Sequence, residues 1–127
     1  MEVRDAVEDD ADELAGLVDG PRDVLRNVIH DRTVRVAEAD GEVVAFVSFD
    51  ARPGTVYVTQ IGGEPEALQR LLQEPIRFAR SEDMSVELLI EEDDDEVVSV
   101  VVDEGFDRVG RGPRFDDVTT VRFRLSP

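Results

Sequence analysis

The side chains able to do chemistry are few. The chain has one histidine, His30, one tyrosine, Tyr57, and no cysteine. Without cysteine there are no disulfides, thiolate metal sites or thiol nucleophiles. His30 has no matched Ser or Asp with which to form a triad, and a histidine near a helix end is also simply favoured there by the helix dipole. Glu91–Glu96 is a run of six acids. It lacks the spacing of a calcium loop and reads as a hydrated turn leading into a helix. Arg108, Arg111 and Arg114 form a local basic cluster, which either meets an anion or pairs with Asp107, Asp116 and Asp117. Gly62-Gly63, followed by Glu64-Pro65, leaves bare backbone N–H groups at a helix start, where anions bind. The same four residues also make an ordinary strand-to-helix turn.

The elements that must position these residues are read from periodicity and punctuation. Residues 1–7 alternate as a strand, and Glu8–Asp10 then starts a helix with the stripe Ala11, Leu14, Ala15, Leu17 and Val18, stopped by Gly20. Pro21 opens a second helix that buries Val24, Leu25, Val28 and Ile29. Thr33–Ala39, the hairpin turn Asp40-Gly41 and Glu42–Asp50 follow, with Val43, Ala45, Val47 and Phe49 on one face. Arg52-Pro53-Gly54 turns into the strand Thr55–Ile61. A long helix then places Leu68, Leu71, Leu72, Ile76 and Ala79 inward, with a kink at Pro75, whose missing N–H removes one hydrogen bond. Ser85–Glu91 is a strand. Residues 93–104 stay open on this reading, because the valines prefer a strand while Asp93–Glu96 and Gly105 look like helix ends. Phe106–Arg111 and Val118–Leu125 read as strands around a Gly112-Pro113 turn.

The 127 residues predict one domain, 1–127. There are 31 Asp+Glu against 14 basic residues, all arginine, for a formal charge of −17. The acids are spread along the whole chain, and the composition resembles that of proteins that work in concentrated salt. No basic stripe is offered to phosphates, so no nucleic-acid partner is expected. Neither a membrane span nor a basic start with an apolar stretch is present, so a cytoplasmic protein with no membrane partner is expected. No metal site is expected.

The order β-α-α-β-β-β-α-β-α-β-β, with Glu104-Gly105-Phe106, Val109-Gly110-Arg111, Pro113–Asp117 and Leu71-Leu72 ahead of Ala79-Arg80, resembles the GNAT superfamily of acyl-CoA-dependent N-acetyltransferases. The closing motifs are most like enzymes that acetylate protein N-termini. The resemblance implies an α/β (α+β) fold with a mixed sheet of about seven strands and about four helices, and residues 93–104 as helix. It implies acetyl-CoA as cofactor, held mainly by backbone at Val58, Gln60, Gly62 and Gly63 on and after the fourth strand. Asp94 stands where relatives carry an Asn, although it also suits a helix N-cap. His30, Arg111 and Arg114 would border the acceptor amine. The partners left open are that amine, of a small molecule or protein, and a second copy of the chain.

The chain departs from the pattern where the phosphates should sit. The family's Arg/Gln-x-x-Gly-x-Gly/Ala loop falls on Gly63, Glu66 and Leu68, so none of its three positions matches, and Glu64 and Glu66 add carboxylates. The usual catalytic tyrosine position is Val101, and Thr55–Ile61 holds no carboxylate base. Two functions follow: an acetyl-CoA-dependent N-acetyltransferase, or an inactive binding, regulatory or oligomerisation module on the same fold.

Overall fold

The computed structural model describes residues 1–18, 21–115 and 117–127, with Phe115 described by its backbone. The strands are β1 (Glu2–Asp5), β2 (Thr33–Ala39), β3 (Glu42–Arg52), β4 (Thr55–Gly63), β5 (Ser85–Glu91), β6 (Asp107–Phe115) and β7 (Val118–Leu125). The helices are α1 (Ala11–Val18), α2 (Arg22–Asp31), α3 (Pro65–Leu71), α4 (Gln73–Ser81) and α5 (Asp95–Asp103). A short 3-10 turn, Glu8–Asp10, precedes α1. The predicted stop at Gly20 and the pairing role of Asp116 lie outside the described residues.

One mixed sheet runs β1-β2-β3-β4-β5-β7-β6. Every neighbouring pair is antiparallel except β4 and β5, which are parallel. A parallel pair needs a crossover, and α3 and α4 supply it. Pro75 divides the one long helix expected there into two: it cannot donate to the turn before it, and the helix breaks at Leu72. Leu68, Leu71, Leu72, Ile76 and Ala79 are all buried, so the predicted inward face survives the break.

The sheet has two cores. One face, under α3, α4 and α5, gathers Ala45, Val47, Phe49, Val56 and Val58. The other, under α1 and α2, gathers Val34, Val36, Val43 and Phe46. Val43 therefore does not share a face with Ala45, Val47 and Phe49. The register slips between Ala37 and Glu38, leaving Val44 as an extra residue, and a one-residue bulge reverses the faces beyond it. Val24 is 47 % exposed, so the buried side of α2 rests mainly on Leu25.

Residues 95–103 are helical despite five valines between 97 and 102, because both ends are fixed. The Asp94 side chain accepts from Val97 N–H at the start. At the end, Phe106 N–H donates to Val101 O and Gly105 N–H to Val102 O, the paired bonds of a Schellman motif. Gly112-Pro113 is not a turn. It lies inside β6, in the irregular register between Arg111 and Arg114. β6 is an edge strand, where a proline's missing N–H is tolerated.

One ion pair stands out. Asp10, 5 % exposed, takes two bonds from Arg4, at 2.8 and 3.0 Å, and one from Val7 N–H at 2.8 Å. The hydrogen bond from Arg4 is the main reason its carboxyl is held below its ordinary value of 3.8. Asp10→Asn is expected to cost about 2–3 kcal/mol in urea unfolding at pH 7, less than for a fully buried pair because Arg4 is partly exposed. A carboxyl with a depressed folded value stabilises fully above the unfolded value and loses that contribution as pH falls through the folded one. The difference between wild type and variant should therefore shrink below about pH 4.

Candidate active site

The site starts where two strands part. β4 and β5 pair from Thr55/Ser85 to Val58/Leu88 and then stop. β4 continues along β3 to Gly63, and β5 continues along β7 to Glu91. Between them opens a cleft of about 540 Å³, lined by Val58–Gly63 of β4, Leu89–Glu91 of β5, the end of α1 and the start of α5. A second cleft of about 530 Å³ lies on the part of the sheet not covered by α1 and α2, lined by Tyr57, Thr59, Glu87, Leu89 and Arg122. Val58, Thr59 and Leu89 line both, so the two meet at the parting point.

Backbone alternation sets which groups face the gap. Glu64 N–H donates to Val44 O, which makes Ala45/Gly63 a non-hydrogen-bonded pair of the β3/β4 ladder. Hydrogen-bonded and open pairs alternate in such a ladder, so Gly62 and Gln60 bond back to β3. Ile61 and Gly63 instead turn their N–H and C=O away from β3, into the gap. Of the bare N–H groups expected around Gly62-Gly63, that of Gly63 is the one that does not bond back to β3.

The two glycines also have packing reasons. A Cβ on Gly62 would sit 2.7 Å from Val18 Cγ1, so the glycine lets α1 rest on the strand. Gly63 has φ +121°, and a Cβ there would strike the Val44 carbonyl oxygen and Ala45 Cα. Sequence reasoning saw the pair but not these neighbours, which only the tertiary fold brings together.

A second polar element went unrecognised in the sequence. The register slips between Ser48 and Phe49, leaving Thr59 as the extra residue of a bulge at the parting point. Its hydroxyl lies 2.7 Å from Ser48 Oγ and donates to Ser48 O at 3.2 Å. Either hydroxyl can be the donor in the shorter bond, and in each arrangement the Thr59 proton has a Ser48 oxygen to go to. Thr59 Oγ1 keeps a lone pair and no proton for a bound molecule. It is built to receive a donor, such as an amine N–H.

The remaining predicted residues scatter. Val58 is buried and lines the cleft, and half-buried Gln60 lines it with its Oε1 buried and without a partner. Asp94 lines it too, while capping α5. His30 is exposed at the end of α2, with Nε2 3.4 Å from Glu8 Oε2, and lines neither cleft. Arg111 and Arg114 also line neither, and Arg114 lies 3.8 Å from Asp117. The second helix and the closing hairpin thus do not carry these three side chains to the parting point. Tyr57 stands on the open face, 41 % exposed. Among the described residues, no cluster of carboxylates and histidine is arranged to hold a metal ion. No described helix is long and apolar enough to cross a membrane.

Neither a protein-family model nor a curated protein matches the chain. Solved structures do match in shape, over nearly the whole of both chains. Ribosomal-protein-alanine N-acetyltransferase from Brucella melitensis aligns over 100 % of each chain at 19 % identity, with a TM-score of 0.78. Ard1 from Thermoplasma volcanium aligns over 98 % of this chain and 96 % of its own, at 14 % identity and TM-score 0.82. PaiA N-acetyltransferase from Thermoplasma acidophilum, in complex with coenzyme A, aligns over 95 % and 96 % at 13 % identity and TM-score 0.76. The element order, the splayed parallel pair and these likenesses agree: the chain has the fold of the GNAT N-acetyltransferases.

Proposed function

We propose that the chain is an acetyl-CoA-dependent N-acyltransferase that joins an acetyl donor in one cleft to an amine in the other. The observation that carries this reading is the gap beyond Val58/Leu88, where Ile61 and Gly63 turn backbone groups away from β3 and, among the described residues, have no strand beside them to pair with. An extended amide-containing arm can pair with such an edge as an added strand would. Buried, unpartnered Gln60 Oε1 offers a further acceptor for an amide N–H, so the pantetheine arm fits. When bound, the cofactor would supply an activated acetyl group as its thioester.

The residues of the chain would then act mainly by positioning. Thr59 receives the amine N–H at the meeting point of the clefts, and the walls hold the two reactants in line. Holding reactants in this way can account for much of a rate enhancement. Among the described residues no carboxylate or histidine lines the meeting point of Val58, Thr59 and Leu89, so on this reading the amine arrives unprotonated or loses its proton to water. The rate is expected to rise with pH up to the amine's own titration.

The phosphate end fits poorly. The groove between α3 and α5 is lined by Glu66, Asp95, Glu96 and Asp103, and Pro65 removes one N–H from the helix start. This observation favours the second reading, a binding or regulatory module that has lost the cofactor. The readings separate in a melting experiment at about 2 M KCl with millimolar acetyl-CoA. A ligand at 100 times its Kd adds about 2.7 kcal/mol of stability. A rise of several degrees supports the transferase, and no rise supports the module. Salt supplies a second sign. Basic phosphate sites lose affinity as salt rises. Here the acids repel the phosphates, so the acetyl-CoA shift should grow from 0.5 to 2 M KCl, and Glu66→Gln should enlarge it most at the lower salt.

A further inference from the structure

The open-face cleft has a charge arrangement that the proposed reaction leaves unexplained. Two rows of residues cross the sheet there. The first is Tyr57, Glu87, Arg124 and Asp107, paired in register from β4 to β6. Its charges answer one another: Glu87 Oε2 lies 3.8 Å from Arg124 Nη1, and Asp107 stands opposite Arg124. Arg124 Nη2 also donates to Ser85 Oγ at 3.0 Å.

The second row has no such balance. It runs from Leu89 through Arg122 to Gly110, beyond the last β4/β5 pair, with Thr59 lining the same cleft on the β4 side. Arg122 Nε lies 3.6 Å from Glu87 Oε1, and its two terminal nitrogens have no hydrogen bond among the described residues. Its neighbours across the ladders are Leu89 on one side and Gly110, which has no side chain, on the other. The guanidinium fork is thus held at its base and left open at its tip, within the same cleft as Thr59. A free fork is the group that matches a carboxylate with two parallel bonds. Glu87 does not compete for a substrate ammonium, since both its oxygens face arginines.

We infer that this cleft selects an acceptor that carries a carboxylate as well as an amine, a short apolar peptide or amino acid with a free C-terminus. Thr59 receives the amine end and Arg122 takes the carboxylate. The apolar surfaces of Leu89 and Tyr57, each about 40 % exposed, cover the stretch between. The size follows from the sheet. Thr59 and Arg122 lie on strands two places apart, about 10 Å between backbones before the splay is added. Their side chains close part of that span, and an extended residue covers about 3.3–3.6 Å, so a dipeptide bridges the remainder. A chain of charge −17 repels anions from most of its surface, which makes one open arginine in a cleft selective.

This inference rests on the acceptor side of the proposed transferase, but its test does not need the cofactor. Binding of alanyl-leucine and of its C-terminal amide would be measured by calorimetry, at the lowest KCl that keeps the chain folded. The same pair would then be offered as acceptors with acetyl-CoA. The free acid is expected to bind at least tenfold tighter than the amide. Arg122→Gln should remove that preference while leaving amide binding within about twofold. Arg122→Lys, which keeps the charge without the fork, should retain part of it. Unchanged melting temperatures for both variants would confirm that they fold. Equal binding of acid and amide by the wild type would overturn the inference, as would an equal loss of both in Arg122→Gln. Selective binding without acetyl transfer or an acetyl-CoA melting shift would instead overturn the transferase reading and leave the carboxylate site standing.

Discussion

Gly63→Ala is expected to destabilise the chain by about 3–5 kcal/mol, a large part of the stability of a domain this size. Two effects combine. At φ +121° an alanine is strained before it touches anything, and the added methyl would overlap the Val44 carbonyl oxygen and Ala45 Cα of β3. Backbone cannot move aside as a flexible side chain can, so β4 would have to leave β3 at the residues that form the cleft wall. Gly41→Ala is the matched control. That residue also has positive φ, +83°, but a Cβ there meets nothing within 4 Å. It should cost only about 1 kcal/mol. Urea midpoints for the two variants measure the difference. Equal losses would show that φ alone matters and that the close approach of β3 does not.

The same pair of glycines shows what the sequence could and could not convey. Strands with clean alternation or strong β-branching were legible, and Thr33–Ala39 and Ser85–Glu91 have the predicted limits. The Val-rich helix was not legible from its own residues. Its side chains favour a strand, and only the flanking Asp94 and Gly105, with the family resemblance, point the other way. The bulges at Val44 and Thr59 leave no local signature. Each is imposed by the neighbouring strand, so the misplaced face of Val43 and the polar role of Thr59 have one cause. Gly112-Pro113 has turn chemistry by type, but an edge strand accepts the same residues.

The site divides in the same way. Val58, Gln60, Gly62, Gly63 and Asp94 are what the family resemblance implies for the cofactor side, and all five line the cleft. For His30, Arg111 and Arg114 the resemblance supplies the helix and the hairpin but not the direction of the side chains, and none of the three lines either cleft. Arg122 carried no signal at all. It is one of two arginines on an alternating strand, and its significance comes from having Leu89 and a glycine as neighbours across the sheet.

The melting temperature is expected to rise by on the order of 10 °C or more between 0.1 and 2 M KCl. A formal charge of −17 on 127 residues repels itself in dilute buffer, and few of the acids have a way to be neutralised. Most arginines are already engaged with a carboxylate, and most of those pairs are exposed, where each is worth little and is itself weakened by salt. Loss of the surface pairs therefore cannot offset the relief of repulsion. At 2 M KCl the Debye length falls below about 3 Å, so acids such as Glu66, Asp95, Glu96 and Asp103 around one groove no longer sense one another. The Arg4–Asp10 pair behaves differently, since its bonds are short and Asp10 is buried. The penalty of Asp10→Asn should stay nearly constant across the salt series while the wild-type melting temperature climbs. Replacing KCl with sucrose tests the cause, because sucrose stabilises by exclusion from the surface without screening charge. If sucrose at matched osmolarity gives the same rise, or if the temperature is flat in KCl, repulsion among the carboxylates is not what limits this fold.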